Sequence, residues 1–390
     1  MAPGASARQA TLPGSAGLAD PVERLSVHHL RIPVSSPRDH GSGLVAGDVE
    51  VVLVRLETRN GVTGWGEASP WSVFTGTAEQ AAAALDRYLR PVVVGADTAD
   101  IPAIMARADA ALTGHPEAKA ALETALYDCR GRLLGLPVHA LLGGRFRDRI
   151  ALSVSLANPD FDADLALLER LRGDGVGIVK VKTGASDHRF DLMRLERLRA
   201  DFPEFDVRVD YNQGMAPHEA RRRLADIEAF NVTFIEQPVP RTCWAAMADL
   251  TRALKTPILA DESVFSPDEA VRAVSERFCD LVSVKLMKAG GLRRGMAIAA
   301  IVEAGGMACY GGDMFETGLA HLAGTHMIAA SANISLGCEF YQAKYYLADD
   351  TLTAPFPIEN GEVIVPDGPG LGVDVDLAAV KAYTITETNG

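Results

Sequence analysis

From residue 151 onward, short apolar, β-branched runs recur roughly every 25 residues with helix-like stretches between them, at 151–156, 178–182, 207–210, 233–236, 258–261, 281–285, 307–310 and 334–337. Runs this short suit strands buried on both faces. An intervening helix is the crossover that lets successive strands run parallel. Eight such units point to an α/β fold built as a (β/α)8-type barrel, with a doubly wound sheet as the alternative that spacing alone leaves open.

The chain ahead of this rhythm reads differently. Residues 24–32, 49–57 and 62–67 alternate as strands, and Asn60-Gly61 between the last two is a hairpin signal because both residues tolerate positive φ. Apolar positions at three-to-four spacing over 77–92, 101–113 and 117–134 then read as helices. The expected organisation is a mobile extension over residues 1–20, an α+β capping domain over 21–140, the barrel over 141–345, and a strand-poor segment over 346–390 that packs back on the capping domain. Two long loops, 35–47 and 69–77, leave the first domain; the second carries Trp71 and Phe74.

At 390 residues the chain exceeds one ordinary core, and 48% hydrophobic with 23% charged residues is the balance of a globular protein. A net charge of −13 disfavours a phosphate-neutralising surface, so no nucleic-acid partner is expected. Five scattered cysteines without a CxxC pair argue against a disulfide framework and fit a reducing cytoplasm. No apolar run approaches a membrane span.

The chemistry concentrates at strand ends. Asp210, Glu236 and Asp261 close three consecutive runs, 26 and 25 residues apart, which is one strand–helix unit each. All three then meet at one mouth of the barrel, the end where such folds place catalysis. One acid after a strand commonly caps the next helix. Three in register repel one another and call for a cation, and hard oxygen ligands suit Mg²⁺, with Mn²⁺ as the alternative. Lysines flank the acids: Lys180 and Lys182 on the run before Asp210, sharing a face, and Lys285 on the run after Asp261. A strand-end lysine alone normally reaches to solvent. Facing a bound cation, its pKa is pushed down, which makes the amine a usable base.

The ordered set Lys-x-Lys, Asp, Glu, Asp-Glu, Lys resembles the enolase superfamily and, within it, the muconate-lactonizing subgroup. The likeness runs from GWGEAS at 64–69 through LLGGR at 141–145 to PGLG at 369–372. It implies a capping domain ahead of a modified barrel. It also implies Asp210, Glu236 and Asp261 as Mg²⁺ ligands, Lys182 and Lys285 as the acid/base pair, and Lys180 as a helper near the substrate carboxylate. Asn212 and Glu262 would orient a lysine and a ligand, and Glu339 would face the site. His40, Trp71 and Phe74 would select the substrate. Asp313 stands where muconate cycloisomerases carry Thr, and faces either a cationic substrate group or a backbone amide.

The reaction implied is removal or return of a proton α to a carboxylate through an enolate. It serves cycloisomerisation of a small carboxylate or, alternatively, racemisation or epimerisation of an amino-acid-derived substrate such as an N-acyl amino acid or betaine. A further alternative is a relative that binds carboxylates without catalysis. The resemblance also implies a homo-oligomer. The mandelate-racemase-like branch is disfavoured, since Tyr310-Gly311-Gly312 and Lys285 replace its His and Asp. GGLRRG at 290–295 lacks a nucleotide-binding pattern but leaves open an anion at a helix start.

Overall fold

The computed structural model describes residues 19–389. Most of the expected extension thus lies outside the described residues, and its last residue does not behave as a loose tail. Asp20 is buried, and its carboxylate accepts from Thr58 Oγ1 at 2.6 Å and Asn60 N at 3.0 Å, tying the chain to the hairpin turn. At that turn Gly61 takes φ 77°, the conformation the Asn-Gly signal requires.

The first domain is a four-stranded antiparallel sheet in the order Thr384–Asn389, Val22–Ile32, Val49–Thr58, Thr63–Ala68. The helix Pro116–Leu134 lies against it. Gly64 and Gly66 make that approach possible, because a Cβ on either would collide with the helix backbone at Ala125 or Ala121. Asp128 on the same helix is fully buried and accepts from Trp65 N, Leu371 N and Arg132 Nε, each at 2.9 Å, so one carboxylate joins hairpin, helix and C-terminal segment.

The second domain is the barrel. Eight parallel strands follow in chain order: Ser153–Leu156, Ile178–Lys182, Asp206–Asp210, Ile235–Glu236, Ile258–Ala260, Leu281–Val284, Ala308–Gly311 and Ile334–Cys338. A parallel bridge between Leu152 and Cys338 links the first strand region to the last. Lys182 pairs in register with Asp210, and Asp210 with Glu236, which brings the strand ends to one level.

The C-terminal segment departs from the strand-poor reading and divides itself between the domains. Glu362–Ile364 pairs with Arg149–Ala151 at the base of the barrel, whereas Thr384–Asn389 becomes an edge strand of the capping sheet. Among the described residues no helix is long and apolar enough to cross a membrane.

The GGLRRG stretch opens the helix Leu292–Ala304, and its start is taken by the protein's own Glu123, which accepts from Arg293 N at 3.2 Å. That leaves the helix end with an internal carboxyl acceptor and ties the capping domain to the barrel. Burial pushes the Glu123 carboxyl up to about 7, against the help of Arg293. Ionising it therefore costs stability as pH rises from its unfolded value of 4.5 through about 7. Glu123→Gln keeps the acceptor and removes the titration. It should melt close to wild type at pH 5 and be more stable at pH 8, by up to about 3 kcal/mol. A melting-temperature difference that does not widen between those pH values contradicts this.

Candidate active site

The mouth of the barrel gathers charges from the ends of five consecutive strands, the second to the sixth, and of the eighth. Lys180 is buried and its Nζ donates to Glu236 Oε2 at 2.8 Å and Glu339 Oε2 at 2.6 Å, with Asp210 Oδ2 at 3.2 Å. Glu339 also accepts from Ser155 Oγ at 2.9 Å, on the first strand. Lys182 Nζ donates to Asp210 Oδ2 at 2.7 Å and Asn212 Oδ1 at 3.1 Å. Lys285 Nζ stands 2.7 Å from Asp261 Oδ2. Two lysines thus hold to acids on either flank of Glu236, one from the second strand and one from the end of the sixth.

The backbone behind the acids is shaped for this. Asn212 and Gln237, just past Asp210 and Glu236, take φ 40° and 31°, in the left-handed region that costs a non-glycine residue. The turn is held because Asn212 N donates to Asp210 Oδ1 at 2.8 Å, and Gln237 Oε1 accepts from Asp261 N at 3.0 Å. Asn212 Nδ2 reaches Glu262 Oε1 at 3.3 Å.

Burial and mutual repulsion govern the electrostatics. Burial, then Asp210, pushes Glu236 up to about 8; burial, then Asp261, does the same for Glu262. Asp210 and Asp261 move the other way. Burial would raise each, but Lys182 and Lys180 hold Asp210 down, and Lys285 and Lys288 hold Asp261 down. The lowered lysine pKa expected from the sequence belongs to a site that holds a cation; the protein's own groups act in the other direction on Lys285 and Lys180. Burial disfavours the charge on Lys285, yet Asp261 and Glu236 outweigh it and raise its pKa; Glu236 and Glu339 do likewise for Lys180. Lys285 and Lys180 are themselves cations that neutralise the acids, so the pull on both is upward.

The acid set fits a divalent cation. Glu236 Oε1 and Glu262 Oε2 are buried with no hydrogen-bond partner, and such oxygens are costly unless something positive faces them. Among the described residues, a different trio brings its ligand atoms within 4.8 Å of one another: Asp313, Glu316 and His321, all buried.

Aromatic rings wall the mouth. Phe74 lies under Lys285 Nζ at 4.6 Å, Trp71 stacks near Phe74 with centroids 6.1 Å apart, and Phe315 meets Trp71 edge-on at 5.2 Å. His40 adjoins Trp71 at 5.1 Å; burial, then Lys182, drives its pKa well below the ordinary value, so it is neutral. All the residues singled out in the sequence are therefore at or beside this mouth.

Four others were not. Lys288, three residues after Lys285, donates to Asp261 Oδ1 at 2.8 Å and O at 2.6 Å, and that spacing was its signal. Phe315 had none, since one Phe in GGDMFETG is unremarkable in sequence. Glu316 and His321 meet Asp313 only through the turn into the helix Gly318–Ala329.

Residues 163–379 match the family described as Enolase C-terminal domain-like, and 32–143 the Mandelate racemase / muconate lactonizing enzyme N-terminal domain. The chain is 34% identical to L-Ala-D/L-Glu epimerase of Bacillus subtilis, over 90% of this chain and 96% of that one. It is 35% identical to a chloromuconate cycloisomerase of Cupriavidus pinatubonensis, over 85% and 90%. Among solved structures, a muconate cycloisomerase from Azorhizobium caulinodans superposes with a TM-score of 0.83 at 44% identity, covering 94% of this chain and 99% of that one.

Proposed function

Since the chain belongs to the mandelate racemase / muconate lactonizing enzyme family of the enolase superfamily, we propose that it removes and returns the proton α to the carboxylate of a small acid, through an enolate. The observation that carries this reading is the placing of Lys182 and Lys285 on Asp210 and Asp261, either side of Glu236.

Asp210, Glu236 and Asp261 would hold Mg²⁺, with Mn²⁺ as the alternative. Such an ion supplies positive charge to the enolate oxygens and offsets the acids' pull on the lysines. The lysine on one face, as free amine, takes the α-proton. The C–H electron pair passes into the carboxylate to give the enolate, and the ammonium of the opposite lysine returns a proton to the same carbon. Lys180, fixed between Glu236 and Glu339, provides a buried positive charge near the substrate carboxylate.

Cycloisomerisation needs one of these lysines as acid or base. Racemisation needs both, and the equivalent anchoring of the two lysines favours it as the second reading.

The test is deuterium uptake at the α-carbon in D₂O, across muconates, N-acylated amino acids and N-alkylated amino acids. Uptake should stop on chelation with EDTA and return with Mg²⁺. Calorimetric binding of Mg²⁺ and a carboxylate without any uptake would instead identify a silent binding protein.

A further inference from the structure

Asp313, Glu316 and His321 meet in the turn that leads from the seventh barrel strand into the helix Gly318–Ala329. All three are buried, His321 at 1% exposure, and their ligating atoms lie within 4.8 Å of one another. His321 Nε2 stands 3.4 Å from Asp313 Oδ2 and 4.0 Å from Glu316 Oε2, yet neither ring nitrogen has a hydrogen-bond partner. These separations decide what joins the three. A shared proton would draw an imidazole nitrogen and a carboxyl oxygen to about 2.8 Å. Two ligands of one tetrahedral ion, with bonds of about 2.1 Å, stand about 3.4 Å apart.

The charge around the trio points the same way. Glu339 faces Asp313, Glu67 faces Glu316, and Glu67 and Asp350 face His321. Among the described residues neither acid of the trio forms an ion pair with a lysine or arginine. The lysines whose fields reach Asp313 are engaged elsewhere: Lys285 with Asp261, Lys182 with Asp210, Lys180 with Glu236 and Glu339. His321 supplies no charge either, because burial drives it down to about 4; a neutral ring is the form that ligates a metal. Phe340 stacks on that ring at 4.8 Å and Phe356 meets it at 5.4 Å, which holds it in place. Gln342 Nε2 donates to Asp313 Oδ2 at 2.9 Å and Met314 N to Glu316 Oε2, the outer hydrogen bonds that orient ligating carboxylates.

We propose that Asp313, Glu316 and His321 form a second metal site, separate from Asp210, Glu236 and Asp261, for a borderline divalent ion such as Zn²⁺, with water as the fourth ligand. One imidazole and two carboxylates suit Zn²⁺, whereas Mg²⁺ demands an octahedron of oxygens that this turn does not supply. The role is structural. Phe315 lies between two of the ligands in sequence, so fixing the turn fixes Phe315 against Trp71 at 5.2 Å and His40 at 5.8 Å, in the wall of the mouth. The ion takes no part in proton transfer, and the inference is independent of the enolate reading.

The test is equilibrium dialysis of EDTA-stripped protein against Co²⁺, a paramagnetic substitute for Zn²⁺, with and without excess Mg²⁺. In excess Mg²⁺ one Co²⁺ per protomer is expected to stay bound, because Mg²⁺ competes for the all-oxygen acids but poorly for a site with an imidazole. Proton NMR should then show one exchangeable, hyperfine-shifted ring N–H. His321→Asn should abolish that resonance and weaken the retained Co²⁺ by about 100-fold or more. Glu316→Gln should weaken it similarly while keeping the resonance at saturating Co²⁺, and serves if His321→Asn fails to fold. Complete displacement of Co²⁺ by Mg²⁺, a resonance that persists in His321→Asn, or an unchanged affinity in Glu316→Gln overturns the inference. The α-deuteration assay with Mg²⁺ alone scores the enolate reading separately.

Discussion

Lys285→Ala is expected to lose about 10²–10⁴ of the wild-type α-exchange rate for one enantiomer of the substrate, and Lys182→Ala the same for the other. The basis is their separation across the acid cluster. Lys182 reaches Asp210 from the second strand, and Lys285 reaches Asp261 from the end of the sixth, with Glu236 between. A proton leaving one face of a planar enolate and returning to the other needs a group on each. Removing one amine stops abstraction on that side only, so single-turnover exchange of the opposite enantiomer should persist. Asp261 keeps Lys288 as a partner when Lys285 is removed, which spares the fold an unpaired buried carboxylate. Chiral analysis of deuterated product from each variant checks this. Equal loss of both enantiomers in both variants would put the two amines on one side and remove the case for racemisation.

Gly66→Ala is expected to destabilise the protein by about 3 kcal/mol or more. Gly66 lies on Thr63–Ala68, where a Cβ would overlap the Ala121 carbonyl of the helix packed across that strand. Neither partner can yield as a flexible side chain would, since both are backbone in regular elements. Relief requires moving the helix off the sheet, which also disturbs Asp128 and its three hydrogen bonds. Gly173→Ala is the control: nothing lies within 4 Å of its Cβ, and no stability loss is expected there. Urea unfolding of both variants measures the difference. Coincident midpoints for Gly66→Ala and wild type would mean that this close approach does not hold the domain together.

The two variants also separate what was legible in the sequence from what was not. The barrel was legible because each strand–helix unit is local, so its period appears directly along the chain, and the strand-end acids and lysines inherit their common level from it. The hairpin was legible for the same reason, through Asn60-Gly61. GWGEAS marked only a hairpin's end. That Gly66 is there for the Ala121 carbonyl, and that buried Glu67 accepts from Thr317 N at 2.9 Å to join the capping sheet to the start of a barrel helix, depends on residues some 55 and 250 positions away.

The upward pull of the protein's own acids on Lys285 and Lys180 was not legible in the sequence because it depends on which charges lie nearest in space. The tail's division between the two domains was missed because Glu362–Ile364 and Thr384–Asn389 are too short and polar to announce themselves without their partner strands. Composition, period and strand-end chemistry, all properties of neighbours along the chain, were thus determined by the sequence itself. The counter-charges of Asp210 and Asp261, the rings that wall the mouth and the meeting of Asp313 with Glu316 and His321 were decided only by folding, because burial and Coulomb energy follow distance in three dimensions.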